Sequence, residues 1–177
     1  MSLSLQRCRR AGIPVLAMAA FVLVAAASAA AACAGADIRQ DGQSARQYAG
    51  AVQCLLNEQR AQAGLPPLVS DRRLTRAARR FSAAMVRKRF FDHVSPEGST
   101  VGQRVRQAGF SGGALGETIA WGSGEQSTPA AIVSGWMGSP GHRSIILDGQ
   151  FHRVGVGVAP GSPAGTGGAT VTGDFAA

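Results

Sequence analysis

The residues best suited to chemistry are three histidines and one glutamate. His93 lies in the segment FFDHVSPEG, His142 in SPGHR, and His152 follows Phe151 at the entry to a Val/Gly run. Binding and catalytic residues are found disproportionately in loops, so histidines flanked by Gly and Pro are candidates for function. Glu117 stands between a Gly-rich stretch and an apolar run, where a buried carboxylate needs a partner. The alternative is that His93, Glu117 and His142 only cross-link loops through hydrogen bonds.

Two kinds of chemistry are open to these side chains. Two imidazoles and a carboxylate form a workable set for a divalent metal such as zinc, although the close spacing of a helical H-E-x-x-H motif is absent. A hydrolase needs a nucleophile beside a base, and the serines nearest to the histidines in sequence are Ser95, Ser139 and Ser144. Because no G-x-S-x-G elbow or cysteine nucleophile motif is present, we expect binding rather than catalysis and keep a metal-assisted or Ser-dependent hydrolase as the alternative.

The elements that must position these residues follow from periodicity, caps and breakers. Apolar residues at helical spacing predict helices over 45–63 and 72–89, and a shorter helix over 100–108. A further helix begins at Thr128-Pro129, and residues 142–147 predict a turn or short helix. Strands are predicted at 118–121, 154–158 and 169–175. Short strands late in a helical chain do not suit parallel crossovers, so we expect an α+β fold with a small antiparallel sheet covered by helices.

The second predicted helix has two chemically different faces. Its apolar stripe consists of Leu74, Ala77, Ala78, Phe81 and Met85, and its opposite face carries Arg72, Arg76, Arg79, Arg80 and Arg87. This basic face is either a solvated surface or a weak, non-specific site for an anionic surface such as wall polymer or phospholipid head groups.

The N-terminal 32 residues have the order of a secretory signal peptide. Basic residues come first, then an uncharged run from Ala11 to Ala32 that ends in small residues. Residues 33–44 are predicted as a linker and 45–177 as the domain. Removal of 1–32 lowers the formal charge from +8 to +5. We therefore expect a secreted, extracellular protein that does not bind nucleic acid; retention of this segment as a membrane anchor, or lipidation of Cys33, are the alternatives.

The cysteine count favours a disulfide. Cys8 leaves with the signal peptide, and Cys33 and Cys54 remain in an oxidising compartment. A bond between them would hold the N-terminal tail on the first helix, and the alternative is a free, buried Cys54.

Five segments in the same order resemble the CAP superfamily of cysteine-rich secretory, antigen 5 and pathogenesis-related proteins, and its bacterial SCP-like branch in particular. They are LLNEQRAQAGLPPL, FFDHVSPEG, GETIAWG, WMGSPGHRSIIL and FHRVGVGV. The resemblance implies an α-β-α sandwich and a cleft in which His93, Glu117 and His142 match three members of a His/Glu tetrad. Ser139 stands where the second Glu is usual, and Thr118 replaces a usual Asn; Glu97 or Glu125 could supply the missing carboxylate.

From this resemblance we expect a monomeric binding module for a lipid, a cell-wall component or a protein. No cofactor is required. Any divalent metal held by His93, Glu117 and His142 should bind weakly because the tetrad is incomplete.

Overall fold

The computed structural model describes residues 33–40 and 45–177, which form five α-helices and one four-stranded sheet. The predicted signal peptide (1–32) and the last part of the predicted linker lie outside these residues. The helices are α1 (Ala45–Gln62), α2 (Arg72–Lys88), α3 (Val101–Gln107), α4 (Pro129–Gly138) and α5 (Pro140–Ile146). The strands are β1 (Val69–Ser70), β2 (Leu115–Gly122), β3 (Arg153–Pro160) and β4 (Ala169–Ala176). A 3₁₀ turn, Gly124–Ser127, precedes α4.

The sheet order is β1-β3-β4-β2. β4 pairs antiparallel with β2 and with β3 along its full length, as predicted for the three long strands. The fourth strand was not predicted: Val69 and Ser70 pair parallel with Arg153 and Val154. The sheet is therefore mixed and not purely antiparallel. β1 was missed because a two-residue strand carries too little periodicity to be recognised in the sequence.

Local capping interactions begin the helices where the sequence predicted. The Asp71 side chain accepts hydrogen bonds from the backbone N–H groups of Arg73 and Leu74, and Thr100 forms a capping box with Gln103. Thr128 caps α4, which has Pro129 in its first turn. Each cap satisfies N–H groups that have no partner inside the helix.

The alternating Val-Gly-Val-Gly-Val of β3 packs helices on both faces of the sheet. Val154, Val156 and Val158 belong to the main core with α1 and α4. On the other face Gly155 and Gly157 lie against α2, so close that a Cβ on Gly157 would come within 2.1 Å of the Arg79 backbone nitrogen. Glycine thus permits a helix–sheet approach that no side chain would allow, and the predicted α-β-α sandwich results.

Arg60 is an unexpected member of the core. Its side chain is fully buried in α1 and donates hydrogen bonds to the carbonyl oxygens of Pro66, Ile146, Asp148 and Phe151. These bonds compensate for burial of the guanidinium and tie α1 to the segment between α5 and β3.

The first part of the predicted linker packs against the domain. Cys33 and Cys54 form the expected disulfide, with a Cα–Cα distance of 5.7 Å. Ile38 packs against the main core, and the Ala36 carbonyl accepts a hydrogen bond from the Ala130 N–H. Within the described residues, no helix is both long and apolar enough to cross a membrane.

Candidate functional site

The site is built on β2, where Glu117 faces α2 and α3. Glu117 is nearly fully buried, with 3% of its side chain exposed. Its Oε1 lies 2.8 Å from His93 Nδ1, and its Oε2 accepts a hydrogen bond from Arg104 Nη2 at 2.5 Å. The buried carboxylate is therefore held between an imidazole and a guanidinium.

Arg104 was not among the residues singled out from the sequence. It lies on α3 and is buried; its guanidinium carbon lies 3.4 Å from the centroid of the Phe81 ring, and its Nη1 donates to the Ser99 carbonyl oxygen. Arginine stacks well on aromatic faces. α2 thus supplies the ring on which the Arg104 side chain rests as it reaches Glu117.

His93 is the exposed end of this chain of contacts. Half of its side chain, 51%, is accessible to solvent. The hydrogen bond to Glu117, opposed in part by burial, raises the pKa of His93 above its usual 6.5. In the neutral ring, Nδ1–H donates to Glu117, which leaves Nε2 as a hydrogen-bond acceptor.

Asp174 is the second acidic residue of the site and was not predicted from the sequence. β4 places it directly opposite Glu117 in the β2–β4 register, and only 1% of the residue is exposed. Neither of its oxygens has a donor among the described residues. Burial, followed by the negative charge of Glu117, raises the pKa of Asp174 well above its usual value. A protonated Asp174 can donate a hydrogen bond to Glu117. The available signal was a lone carboxylate in an otherwise uncharged strand, ATVTGDFA.

His142 lies on α5 and is half-buried. Desolvation, and then the positive charge of His93, lower the pKa of His142. His142 does not line the cavity of about 480 Å³ beside His93 and Glu117, whereas Ser144 and Ile145 of the same helix do. The remaining lining residues are Val101, Leu115, Gly116, Asp148 and Phe151.

The two carboxylates considered as a replacement for the missing Glu form ion pairs outside the site. Glu125 pairs with Arg39 and Glu97 pairs with Lys88, so both of these acids have partners outside the site. His152 is exposed at the start of β3. Among the residues described, its ring makes no hydrogen bond or ion pair.

Among the described residues, the ligand atoms of His93, Glu117 and His142 do not all lie within 4.8 Å of one another. Both Glu117 oxygens and His93 Nδ1 are already engaged. In residues 33–40 and 45–177, the one group of three or more His, Cys, Asp or Glu ligand atoms within 4.8 Å of each other is Cys33, Cys54 and Glu58. The two sulfurs of that group are joined in the disulfide.

Two curated proteins of Bacillus subtilis (strain 168) are similar to this chain in sequence. Uncharacterized protein YkwD is 41% identical over 103 residues, which are 58% of this chain and 39% of the relative. Uncharacterized membrane protein YlbC is 33% identical over 104 residues, 59% of this chain and 29% of the relative. The aligned region thus spans well under half the length of either relative.

Solved structures share the fold. An extracellular protein containing a SCP domain from Bacillus anthracis str. Ames superposes with a TM-score of 0.64 at 27% identity, over 76% of this chain and 44% of that chain. An outer surface protein from Borrelia burgdorferi gives a TM-score of 0.66 at 17% identity, over 79% of this chain and 97% of that chain. A family model, CAP: Cysteine-rich secretory protein family, matches residues 54–175. These residues include all of the site from His93 to Asp174, and the chain belongs to the cysteine-rich secretory protein (CAP) family.

Proposed function

We propose that this CAP domain is a secreted binding module whose ligand occupies the cavity beside His93. The observation that carries the proposal is the contact chain from Arg104 through the buried Glu117 to His93. It fixes the orientation of a half-exposed imidazole at the mouth of a cavity. Residues whose rotamers are locked by a buried supporting shell are the ones that recognise ligands reproducibly.

The chemistry of the cavity indicates what the ligand needs. Val101, Leu115 and Ile145 offer partly exposed apolar surface, while His93 Nε2 offers a hydrogen-bonding atom, an acceptor in the neutral ring and a donor in the imidazolium. Phe91 and Val94, on either side of His93 in sequence, are exposed large apolar residues. A lipid, a cell-wall component or a protein segment that combines an apolar group with a polar hydrogen-bonding group would match this surface.

Catalysis has no comparable support. Within the described part of the chain, no serine hydroxyl is hydrogen-bonded to a histidine. Ser95 accepts from Ser99, and Ser144 donates to the Gly141 carbonyl oxygen. A nucleophile hydrogen-bonded to its base is the signature that a hydrolase would provide.

Native mass spectrometry tests the proposal. The disulfide-bonded protein is incubated separately with a lipid extract and with solubilised wall fragments of the host cell, and bound adducts are identified. We expect an adduct with the wild type and with His152→Ala, since His152 is exposed and lies outside the cavity, but not with His93→Ala. Equal adducts in all three proteins would place the ligand elsewhere, and no adduct with either material would contradict a lipid or wall ligand.

A further inference from the structure

A second candidate binding site lies at the outer edge of the sheet, between α1 and α2. β1 pairs only with Arg153 and Val154, so the rest of β3 continues past the end of β1. A groove of about 490 Å³ runs along it, with Val156, Gly157 and Val158 among its lining residues. On the α1 side the lining includes the small residues Ala45, Ala49 and Gly50, which leave the groove open.

Four arginines line this groove. Arg46 comes from α1, and Arg72, Arg76 and Arg79 come from α2. All four are exposed, and the groove lining contains no acidic residue. Among the ion pairs of the described residues none involves these arginines. The groove therefore concentrates positive charge that the described part of the chain does not neutralise.

The structure divides the predicted basic face into two parts. Arg72, Arg76 and Arg79 line the groove, whereas Arg80 and Arg87 do not. The three groove arginines of α2 lie on successive turns and span about 10 Å along the helix axis. A single small anion would reach one or two of them, and a chain with anionic groups at intervals would reach all of them.

We propose that this groove binds a polymer with phosphate groups repeated along its chain. Guanidinium groups form bidentate, charge-assisted hydrogen bonds with phosphate oxygens. The groove and the cavity at His93 share no lining residue, so they are separate candidate sites.

Binding of long-chain inorganic polyphosphate to the disulfide-bonded protein tests the groove. The informative variant is Arg76→Gln/Arg79→Gln, and Arg80→Gln/Arg87→Gln removes the same charge from exposed positions of the same helix outside the groove. We expect the groove variant to weaken binding by about tenfold or more and to flatten the slope of log Kd against log salt by about 1 to 2, because fewer counterions are displaced. The control should stay within about twofold of the wild type.

A second pair of variants adds one negative charge and keeps every arginine. A Cβ on Gly50, in the groove, and a Cβ on Gly135, exposed on α4, would each meet nothing within 4 Å, so both positions accept a side chain. Gly50→Glu should weaken polyphosphate binding, and Gly135→Glu should not. Equal losses of affinity in the groove and control variants would show that the net charge of the protein, and not the groove, determines binding. Binding of orthophosphate or polyglutamate as tight as that of polyphosphate would also overturn the proposal.

Discussion

At the residue scale, the site brings two buried carboxyl groups next to each other with one arginine. Glu117 and Asp174 are register partners, and Arg104 contacts Glu117 directly. Two adjacent carboxylates and one guanidinium would leave an uncompensated buried negative charge, which is costly. Protonation of Asp174 removes that cost, while His93 remains available to pair with Glu117 at the solvent side.

The pKa of His93 should lie above the ordinary histidine value, and the pKa of His142 should lie below it. The Glu117 hydrogen bond raises the pKa of His93, whereas burial and the charge of His93 lower the pKa of His142. NMR titration of the imidazole Cε1–H signals should therefore show His142 losing its proton at lower pH than His93. In Glu117→Gln, which keeps the side-chain shape, the His93 midpoint should fall. An unchanged midpoint would contradict the role of Glu117.

Replacement of Asp174 by asparagine should change how stability depends on pH. The folded-state pKa of Asp174 lies above its unfolded value of 3.8, so its contribution to stability is fully present below that value. The contribution is lost as pH rises through the folded-state pKa. The amide side chain introduced by Asp174→Asn stays neutral at all pH values and can donate to Glu117.

Thermal or urea unfolding at several pH values measures this effect. The stability of Asp174→Asn relative to wild type should increase from acid to mildly alkaline pH. A constant difference across the range would show that folding does not raise the pKa of Asp174.

At the element scale, the close packing of α2 on β3 decides how the site is assembled. α2 contributes Phe81 beneath Arg104 on one side of the sheet and the groove arginines at its edge. Both depend on Gly155 and Gly157, because a Cβ at either position would overlap the α2 backbone. Displacement of α2 would therefore disturb both the cavity beside His93 and the groove.

Gly157→Ala should destabilise the protein by more than about 3 kcal/mol, at the upper end of overpacking effects, since backbone rather than a flexible side chain must move. Gly135→Ala is the matched control on the exposed face of α4, where a Cβ meets nothing within 4 Å. That change should stabilise the helix by about 0.5–1 kcal/mol. Urea unfolding of both variants measures the difference, and a Gly157→Ala protein as stable as the wild type would contradict the packing described.

At the scale of the whole molecule, residues 33–40 are held to the domain by covalent and non-covalent contacts. The Cys33–Cys54 disulfide joins positions 21 residues apart. Ile38 packs against the main core, and Arg39 pairs with Glu125 in the turn before α4. Residues 33–40 therefore contribute to the folded domain.

Cys33→Ser/Cys54→Ser should lower the free energy of unfolding by about 3 kcal/mol, because the unfolded chain regains the freedom of the closed loop. The double replacement avoids a free thiol, and reduction of the wild type should produce a similar loss. Calorimetry checks both. A loss in the variant without a loss on reduction would trace the effect to the serines and not to the bond.

The sequence by itself determined the features that depend on neighbouring residues. The α2 stripe of Leu74, Ala77, Ala78, Phe81 and Met85 is buried as its periodicity predicts, and Asp71 and Thr128 cap their helices. The even cysteine count predicted the disulfide, and the ordered motifs predicted the CAP fold. These signals are local or additive along the chain, so they can be recognised without knowing which elements touch.

Only the tertiary structure decided which distant side chains meet. Asp174 joins Glu117 because β2 and β4 pair in one register, and a shift by one residue would turn Asp174 to the opposite face. Arg104 reaches Glu117 because Phe81 of α2 supports its guanidinium. The groove exists because β1 ends after two residues and leaves the rest of the β3 edge between α1 and α2. Register, side-chain direction and helix proximity are set by packing across the whole domain, and no pattern within a single segment encodes them.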